Sequence, residues 1–451
     1  MSTNKTNKKE GRHIQNWAGI IYTICSALII LAGTFIAVRW AKGDFRLDES
    51  NQAISKETGL LHATSIPQGA QVYINGNLTS ATDDIIYLSP GEYEVRIQKD
   101  GYSPWQKTIK IEQSLVSQAN AMLYPYSPSL TALTFTGASN ISVSPDGQKL
   151  LYYNNNISTK NKNGLYLLDL TNSSKSPTQI SDNDSDFTLA EAQYIWSPDS
   201  SEILVFTPER TFLLKVNTMT NLQSSPDMTL QLKTLLQSWE EDILAKEKQY
   251  LEKIPLAAMQ TIIDNGTDFN LSPDTQKLLY IATGSATLAD GLVPPLPASN
   301  SYPEQRTLKP GNIFLYDSYE DKNFNLGAAA TSSAKLLLAD INTLELTAHN
   351  IMPMQTLISD DEEETIANFN RYYGDYRNQT WQWLADSTHL VGIQNGSVVI
   401  MNYDGSNPTV IYSGPLADSF VLPYPDGNKI LILTSFNPDS PANVYAIELK
   451  K

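Results

Sequence analysis

Ile141-Ser-Val-Ser-Pro-Asp-Gly-Gln-Lys-Leu-Leu-Tyr-Tyr153 decides the fold, because the chain repeats it. Further copies run Tyr194–Phe206, Phe269–Ile281, Trp381–Ile393 and Ser419–Leu433. Their turn aspartates are Asp146, Asp199, Asp274, Asp386 and Asp426. Each copy reads as an inner strand, a tight turn, a second strand, a loop and a third strand. In most copies Pro presets φ at the turn, and Asp can bond the backbone two residues on. The third strands are Gly164–Leu170, Thr211–Val216, Asn312–Asp317, Ser397–Met401 and Asn443–Ile447. One such unit cannot bury both faces, so the copies must pack side by side in a ring.

These repeats resemble those of TolB-type and related β-propellers. The resemblance implies a propeller over residues 126–451, with five to six blades. The fifth copy stops after its third strand, and an unassigned strand, Leu130–Thr136, precedes the first copy. That strand is expected to complete the last blade and remove a free edge. Copy spacing is uneven, so the long gaps hold insertions. Leu232, Leu235, Leu236, Trp239, Ile243, Tyr250 and Ile254 fall at helical spacing, which predicts an amphipathic helix over 229–254. The expectation is a helix packed on the propeller's flank, with a partner-docking helix as the alternative. Pro294-Pro-Leu-Pro297 reads as a surface loop. Residues 335–380 are expected to hold a degenerate sixth blade or an elaborated loop, with Lys335–Leu338 and Leu344–Ala348 as candidate strands.

Upstream lie alternating runs at Leu60–Ser65, Gln71–Ile74, Ile85–Leu88, Tyr93–Gln98 and Thr108–Ile111. Asn75-Gly76 between two of them predicts a type I′ hairpin. Pro67-Gln-Gly-Ala70, Val72-Tyr-Ile-Asn-Gly76, Leu88-Ser-Pro-Gly-Glu-Tyr93, Gly101-Tyr102 and Trp105 carry a resemblance to the PEGA domain, with Gln68 where the family has Glu. It implies a surface-associated β-sandwich over 59–125 that serves as a spacer or adhesion unit.

Trp17–Val38 holds 22 residues without a charge, enough to cross a hydrocarbon core of roughly 30 Å as one helix. The run is too long for a secretory signal's apolar region, and Arg39 and Lys42 follow it, so it reads as an uncleaved anchor. Leu31-Ala32-Gly33 begins a lipoprotein-like box, but Thr34 stands where the lipidated thiol would be. Lys5, Lys8, Lys9 and Arg12 outnumber the basic residues just beyond the span, which favours a cytoplasmic N-terminus. The expected order is a cytoplasmic tail (1–16), the span (17–38), a polar stalk (39–58), then an exported body. Cys25, the sole cysteine, sits inside the span, so the body carries no disulfide.

The chain's net charge is −16, and its first 46 residues carry +5, which leaves −21 beyond them. Such a body is no nucleic-acid binder, since that affinity depends on basic patches. No G-x-S-x-G elbow, H-E-x-x-H pair or Gly-rich phosphate loop occurs. The four histidines, His13, His62, His349 and His389, are isolated in sequence. No catalytic residue, cofactor or metal is implied. Asp182-Asn-Asp184-Ser-Asp186 has calcium-like oxygen spacing but lacks the Gly and Glu that an EF-hand loop needs, so it reads as a solvated loop. Asp360-Asp-Glu-Glu-Glu364 reads as an exposed charged loop. Among aromatics that could stack on sugars, Trp196 and Trp381 occupy inner-strand positions and read as blade core. Trp105 and Trp383 remain candidates. Tyr372, Tyr373 and Tyr376 form the candidate ligand surface.

The expected function is a membrane-anchored binding or scaffolding protein of the cell envelope. Its partner would be an envelope protein or a cell-wall glycan, with the lipid bilayer engaged through residues 17–38. A surface-polymer hydrolase using carboxylates in the propeller mouth and a receptor-like sensor are the alternatives.

Overall fold

The computed structural model describes residues 11–41, 45–47, 53–55, 58–159, 162–172, 176–183, 186–251, 254–329, 357–372, 381–437 and 439–450. Two compact units emerge. One comprises Met1–Arg96, Thr108–Ala121 and Pro297–Ser301, and the other Ile97–Lys107, Met122–Leu296 and Tyr302–Lys451.

Helix α1 (Gly11–Ala41) contains the whole uncharged run. Within the stretch read as a polar stalk, β1 (Phe45–Leu47) and β2 (Ala53–Ser55) pair as a short antiparallel ribbon. Strands β3 (Gly59–Ile66), β4 (Gln71–Ile74), β5 (Asn77–Ala81), β6 (Asp84–Leu88), β7 (Gly91–Gln98), β8 (Trp105–Ile111) and β9 (Val116–Met122) follow. They form two sheets, β6-β3-β9 and β5-β4-β7-β8. Alternate residues point inward, with Leu61, Ala63, Val72, Val95 and Ala119 fully buried. Asn75 and Gly76 take φ of 48° and 80°, both positive as a type I′ turn requires. Strands β5 and β9 were not foreseen, because their polar residues (Asn77-Leu-Thr-Ser-Ala81 and Val116-Ser-Gln-Ala-Asn120) weaken the apolar alternation.

In the second unit β10 (Leu130–Ala132) precedes the repeats. Blade one comprises β11 (Ser139–Val143), β12 (Lys149–Asn154), β13 (Gly164–Asp169) and β14 (Thr178–Gln179). Blade two has β15 (Gln193–Trp196), β16 (Glu202–Phe206) and β17 (Thr211–Lys215), after which the chain enters helix α2 (Leu232–Leu251) and helix α3 (Leu256–Asp264). Blade three is β18 (Gly266–Leu271), β19 (Lys277–Ala282), β20 (Asn312–Asp317) and β21 (Lys322–Ala328). Helix α4 (Glu362–Tyr372) leads to blade four, β22 (Trp381–Trp383), β23 (His389–Gln394), β24 (Ser397–Asn402) and β25 (Thr409–Tyr412). Blade five takes β26 (Val421–Pro423), β27 (Lys429–Thr434) and β28 (Asn443–Glu448), and its fourth strand is β10. Leu130 pairs with Ile447 and Ala132 with Tyr445, so the ring is joined across its two ends as the repeat pattern implied.

The repeat has a chemical cause in its turn. In every copy the turn carboxylate accepts the amide two residues on: Gln148 at 2.9 Å, Ser201 at 3.1 Å, Gln276 at 3.0 Å, Thr388 at 2.9 Å and Asn428 at 2.8 Å. The residue after each Asp is left-handed: Gly147, Ser200, Thr275, Ser387 and Gly427 have φ between 57° and 67°. Ser144, Ser197 and Ser272 each accept the amide five residues on, at 2.9 Å. That amide opens the second strand, so one short motif fixes both turn and register.

Neighbouring blades bury apolar faces against each other. Leu151, Leu165 and Leu167 of blade one meet Tyr194, Trp196 and Val205 of blade two. Blade five packs on blade one, blade four on blade five, and blade three on blade four. Helices cover the remaining faces of blades two and three. Leu232, Leu236, Trp239 and Ile243 of α2, with Ile366 and Phe369 of α4, lie on Ile195, Leu204 and Phe206 of blade two. Ala258, Met259 and Ile262 of α3 lie on Leu278, Tyr280 and Phe314 of blade three. The insertion's apolar stripe therefore belongs to the ring's own core, and a docking helix loses the face it would have used. The helix expected over 229–254 is α2, and the second helix, α3, begins directly after Pro255, which tolerates a place ahead of a helix but not inside one.

The run 360–364 is exposed as expected, but only Asp360 and Asp361 lie outside a helix. Glu362–Glu364 open α4, where Asp361 accepts the amides of Glu363 at 2.8 Å and Glu364 at 3.3 Å. Carboxylates favour a helix N-terminus, where unpaired N–H groups and the helix dipole are positive. Lys335–Leu338 and Leu344–Ala348 lie outside the described residues. Pro294, Pro295 and Pro297 are exposed, as a surface loop requires.

Gly164 shows how tightly the first blade is closed. Its φ is 141°, and a Cβ there would collide with the Ser181 carbonyl oxygen and come within 2.8 Å of the Asp182 carbonyl carbon. Both obstacles are backbone. Gly164→Ala is expected to destabilise the protein by about 1–3 kcal/mol, the usual range for overpacking, read as a fall in the thermal midpoint.

Candidate functional site

The aromatic side chains best suited to stack on a sugar lie in the interior. Trp196 is 1% exposed, Trp381 2%, Trp105 4% and Trp383 8%. The indoles also stitch blades together: Trp196 Nε1 donates to Ser142 Oγ at 2.9 Å and Trp383 Nε1 to the Asn270 carbonyl at 3.3 Å. Of the proposed tyrosine surface, Tyr372 ends α4 and is exposed. Tyr373 and Tyr376 lie outside the described residues.

In the calcium-like segment the described carboxylates bind protein groups. Asp182 accepts the Asn221 side-chain amide at 3.1 Å and the Leu222 backbone amide at 3.2 Å, and Asp186 accepts Gln223 Nε2 at 3.3 Å. These carboxylates hold the Asn221–Gln223 segment, while Asp184 lies outside the described residues. Among the described residues no group of three or more His, Cys, Asp or Glu is placed to hold a metal.

The turn ends of the blades carry the densest polar chemistry. Lys149 Nζ lies 3.1 Å from Asp146, Lys277 Nζ 3.2 Å from Asp274, and His389 Nδ1 2.6 Å from Asp386. Burial pushes the carboxyls of Asp146, Asp274 and Asp386 up. Their hydroxyl, amide and cationic partners more than offset it, and all three lie below the ordinary carboxylate range. Asp199 is lowered chiefly by the Ser197 hydroxyl. Asp317 goes the other way: burial holds it above that range, against the pull of Lys277 and two backbone amides.

These shifts set the sign of an acid transition. A depressed carboxylate stabilises the fold above its unfolded pKa and loses that contribution as pH falls through the folded value. Asp317 contributes oppositely, its share being lost as pH rises, whereas Asp146, Asp199, Asp274 and Asp386 lose theirs as pH falls. The thermal midpoint should therefore fall on acidification below roughly pH 4, and Asp274→Asn should make that fall shallower. A midpoint that stays level from pH 5 to pH 3 would contradict this assignment.

One polar contact had no sequence signal. Lys107 Nζ lies 2.6 Å from Asp404 Oδ2, and the Gln106 amide donates to Asn407 Oδ1 at 2.8 Å. The partners are some 300 positions apart, beyond any local pattern.

The PEGA domain family model matches residues 58–125. No curated protein matches the chain. Similar solved structures include TolB from Acinetobacter baumannii, at 12% identity, covering 84% of this chain and 63% of that one, with a TM-score of 0.19. Oligogalacturonate lyase from Vibrio parahaemolyticus matches at 9% identity, 80% and 87% coverage and a TM-score of 0.25. The Swd1 β-propeller domain from Myceliophteria thermophila matches at 10% identity, 70% and 98% coverage and a TM-score of 0.27. At such scores the propeller assignment rests on this chain's own strand order. The chain thus carries a PEGA domain at residues 58–125, followed by a β-propeller.

Proposed function

We propose that α1 anchors this protein in a membrane and that its propeller is held on the extracytoplasmic side as a protein-binding surface of the envelope. The supporting observation is the surface of α1. From Ile21 to Arg39 its mean hydropathy is 2.3, and no part of that stretch is buried within the protein. An apolar surface of that length needs lipid to cover it. The PEGA domain fits such a setting, since its family is surface-associated. Protein is favoured over glycan as the partner because four of the candidate stacking aromatics serve the core.

The test is in-cell cross-linking of the full-length protein followed by mass spectrometry. A discrete protein adduct supports the reading, and an adduct that shifts only with glycan-degrading enzymes favours the cell-wall alternative. Absence of any adduct overturns partner binding. Deleting the helical insertion is a poor control, because it would strip the core from blades two and three.

A further inference from the structure

Blade four is the exception in a charge pattern the other blades share. At the first pair between second and third strands, Lys149 faces Asp169, Lys277 faces Asp317 and Lys429 faces Glu448. In blade two the signs are exchanged, Glu202 facing Lys215. Blade four has His389 facing Asn402, so neither a permanent cation nor an acid occupies the pair. Its acid is Asp404, two residues on, whose side chain is 0% exposed. The Ser406 amide donates to it at 3.0 Å and the Ser406 hydroxyl at 2.6 Å. A buried carboxylate also needs a counter-charge.

That charge comes from Lys107, whose side chain is only 15% exposed. Lys107 ends the Ile97–Lys107 stretch, which belongs to the same compact unit as the blades. Its neighbour Gln106 donates its backbone amide to Asn407, across the same turn. Tyr124, 3% exposed, sets its ring edge-on to His389 at 6.1 Å, and Trp105 is buried as well.

We propose that the turn end of blade four is a recognition site for an extended segment bearing a lysine, and that Gln106-Lys107 of the same chain fills it. Asn407 reads the main chain and Asp404 reads the ammonium, while His389, on Asp386, keeps the place that Lys149 and Lys277 hold on their own turn aspartates. Two consequences follow. Blade four depends on residues that precede the ring's own first strand, and its turn end is closed to outside partners. The inference stands apart from the proposed binding function.

Hydrogen exchange on the full-length protein tests it. With Lys107→Met, amides of His389–Tyr412 should exchange at least about tenfold faster, while those of Lys149–Asp169 keep their wild-type rate. Asp404→Asn should act on the same amides, and Lys107→Arg, which keeps the charge, should stay within about threefold of wild type. Faster exchange confined to Trp105–Lys107 in both Lys107→Met and Asp404→Asn would overturn the proposal. So would equal acceleration across all blades with Lys107→Arg. Should Lys107→Met fail to fold, the Lys107→Arg and Asp404→Asn pair carries the same discrimination.

Discussion

Replacing Trp381 by alanine is expected to cost about 3–5 kcal/mol of stability, the range for emptying a buried tryptophan site. The side chain is 2% exposed and lies between Leu279, Ile313, Leu315 and Phe324 of blade three and Leu390, Val399 and Met401 of blade four. These neighbours come from two sheets, so neither can close the void without leaving its other contacts. Thermal denaturation of the purified protein should show a midpoint lower by several degrees. A ligand-stacking tryptophan would behave differently, losing sugar binding at an unchanged midpoint. Trp381→Phe should recover most of the loss, since Trp381 contributes by filling space.

Trp239→Ala carries the second large effect, again about 3–5 kcal/mol. Trp239 is 5% exposed and packs with Leu236 and Ile243 of α2 against Ile195 and Phe206 of blade two, beside Ile366 and Phe369 of α4. Those contacts bury a blade face that no other blade covers among the described residues. The loss should appear in denaturant unfolding as a lower midpoint. A helix held in reserve for a partner would give wild-type stability with Trp239→Ala and weaker capture of that partner. The two outcomes separate a ring-core helix from a docking helix without deleting anything.

Much of this architecture is local and was therefore legible. The Pro-Asp-Gly-type turns announce themselves because carboxylate, left-handed residue and capped amide fall within six residues. The Asn75-Gly76 hairpin is legible for the same reason. Even ring closure could be read, from a strand without a partner at one end and a blade lacking a strand at the other.

The misreadings share a different cause. Asp360–Glu364 looked like a repelling run because charge was weighed without the helix that absorbs it. Asp361 three residues before Glu364, followed by Ile366 and Phe369, is a capping pattern that could have revealed α4. Trp105 and Trp383 could not be placed from sequence, since burial there is decided by distant strands. The Lys107–Asp404 pair is wholly non-local, so no local pattern announces it.

The claim that the propeller stands outside the membrane is tested most directly by cysteine labelling. Cys25, in α1, is the only native cysteine, so Cys25→Ser gives a clean background. Leu230 is 98% exposed, just ahead of α2, and Leu230→Cys places a thiol on the propeller's surface. A membrane-impermeant maleimide should modify the full-length Cys25→Ser/Leu230→Cys protein in intact cells. Modification only after lysis would place the propeller inside and contradict the account.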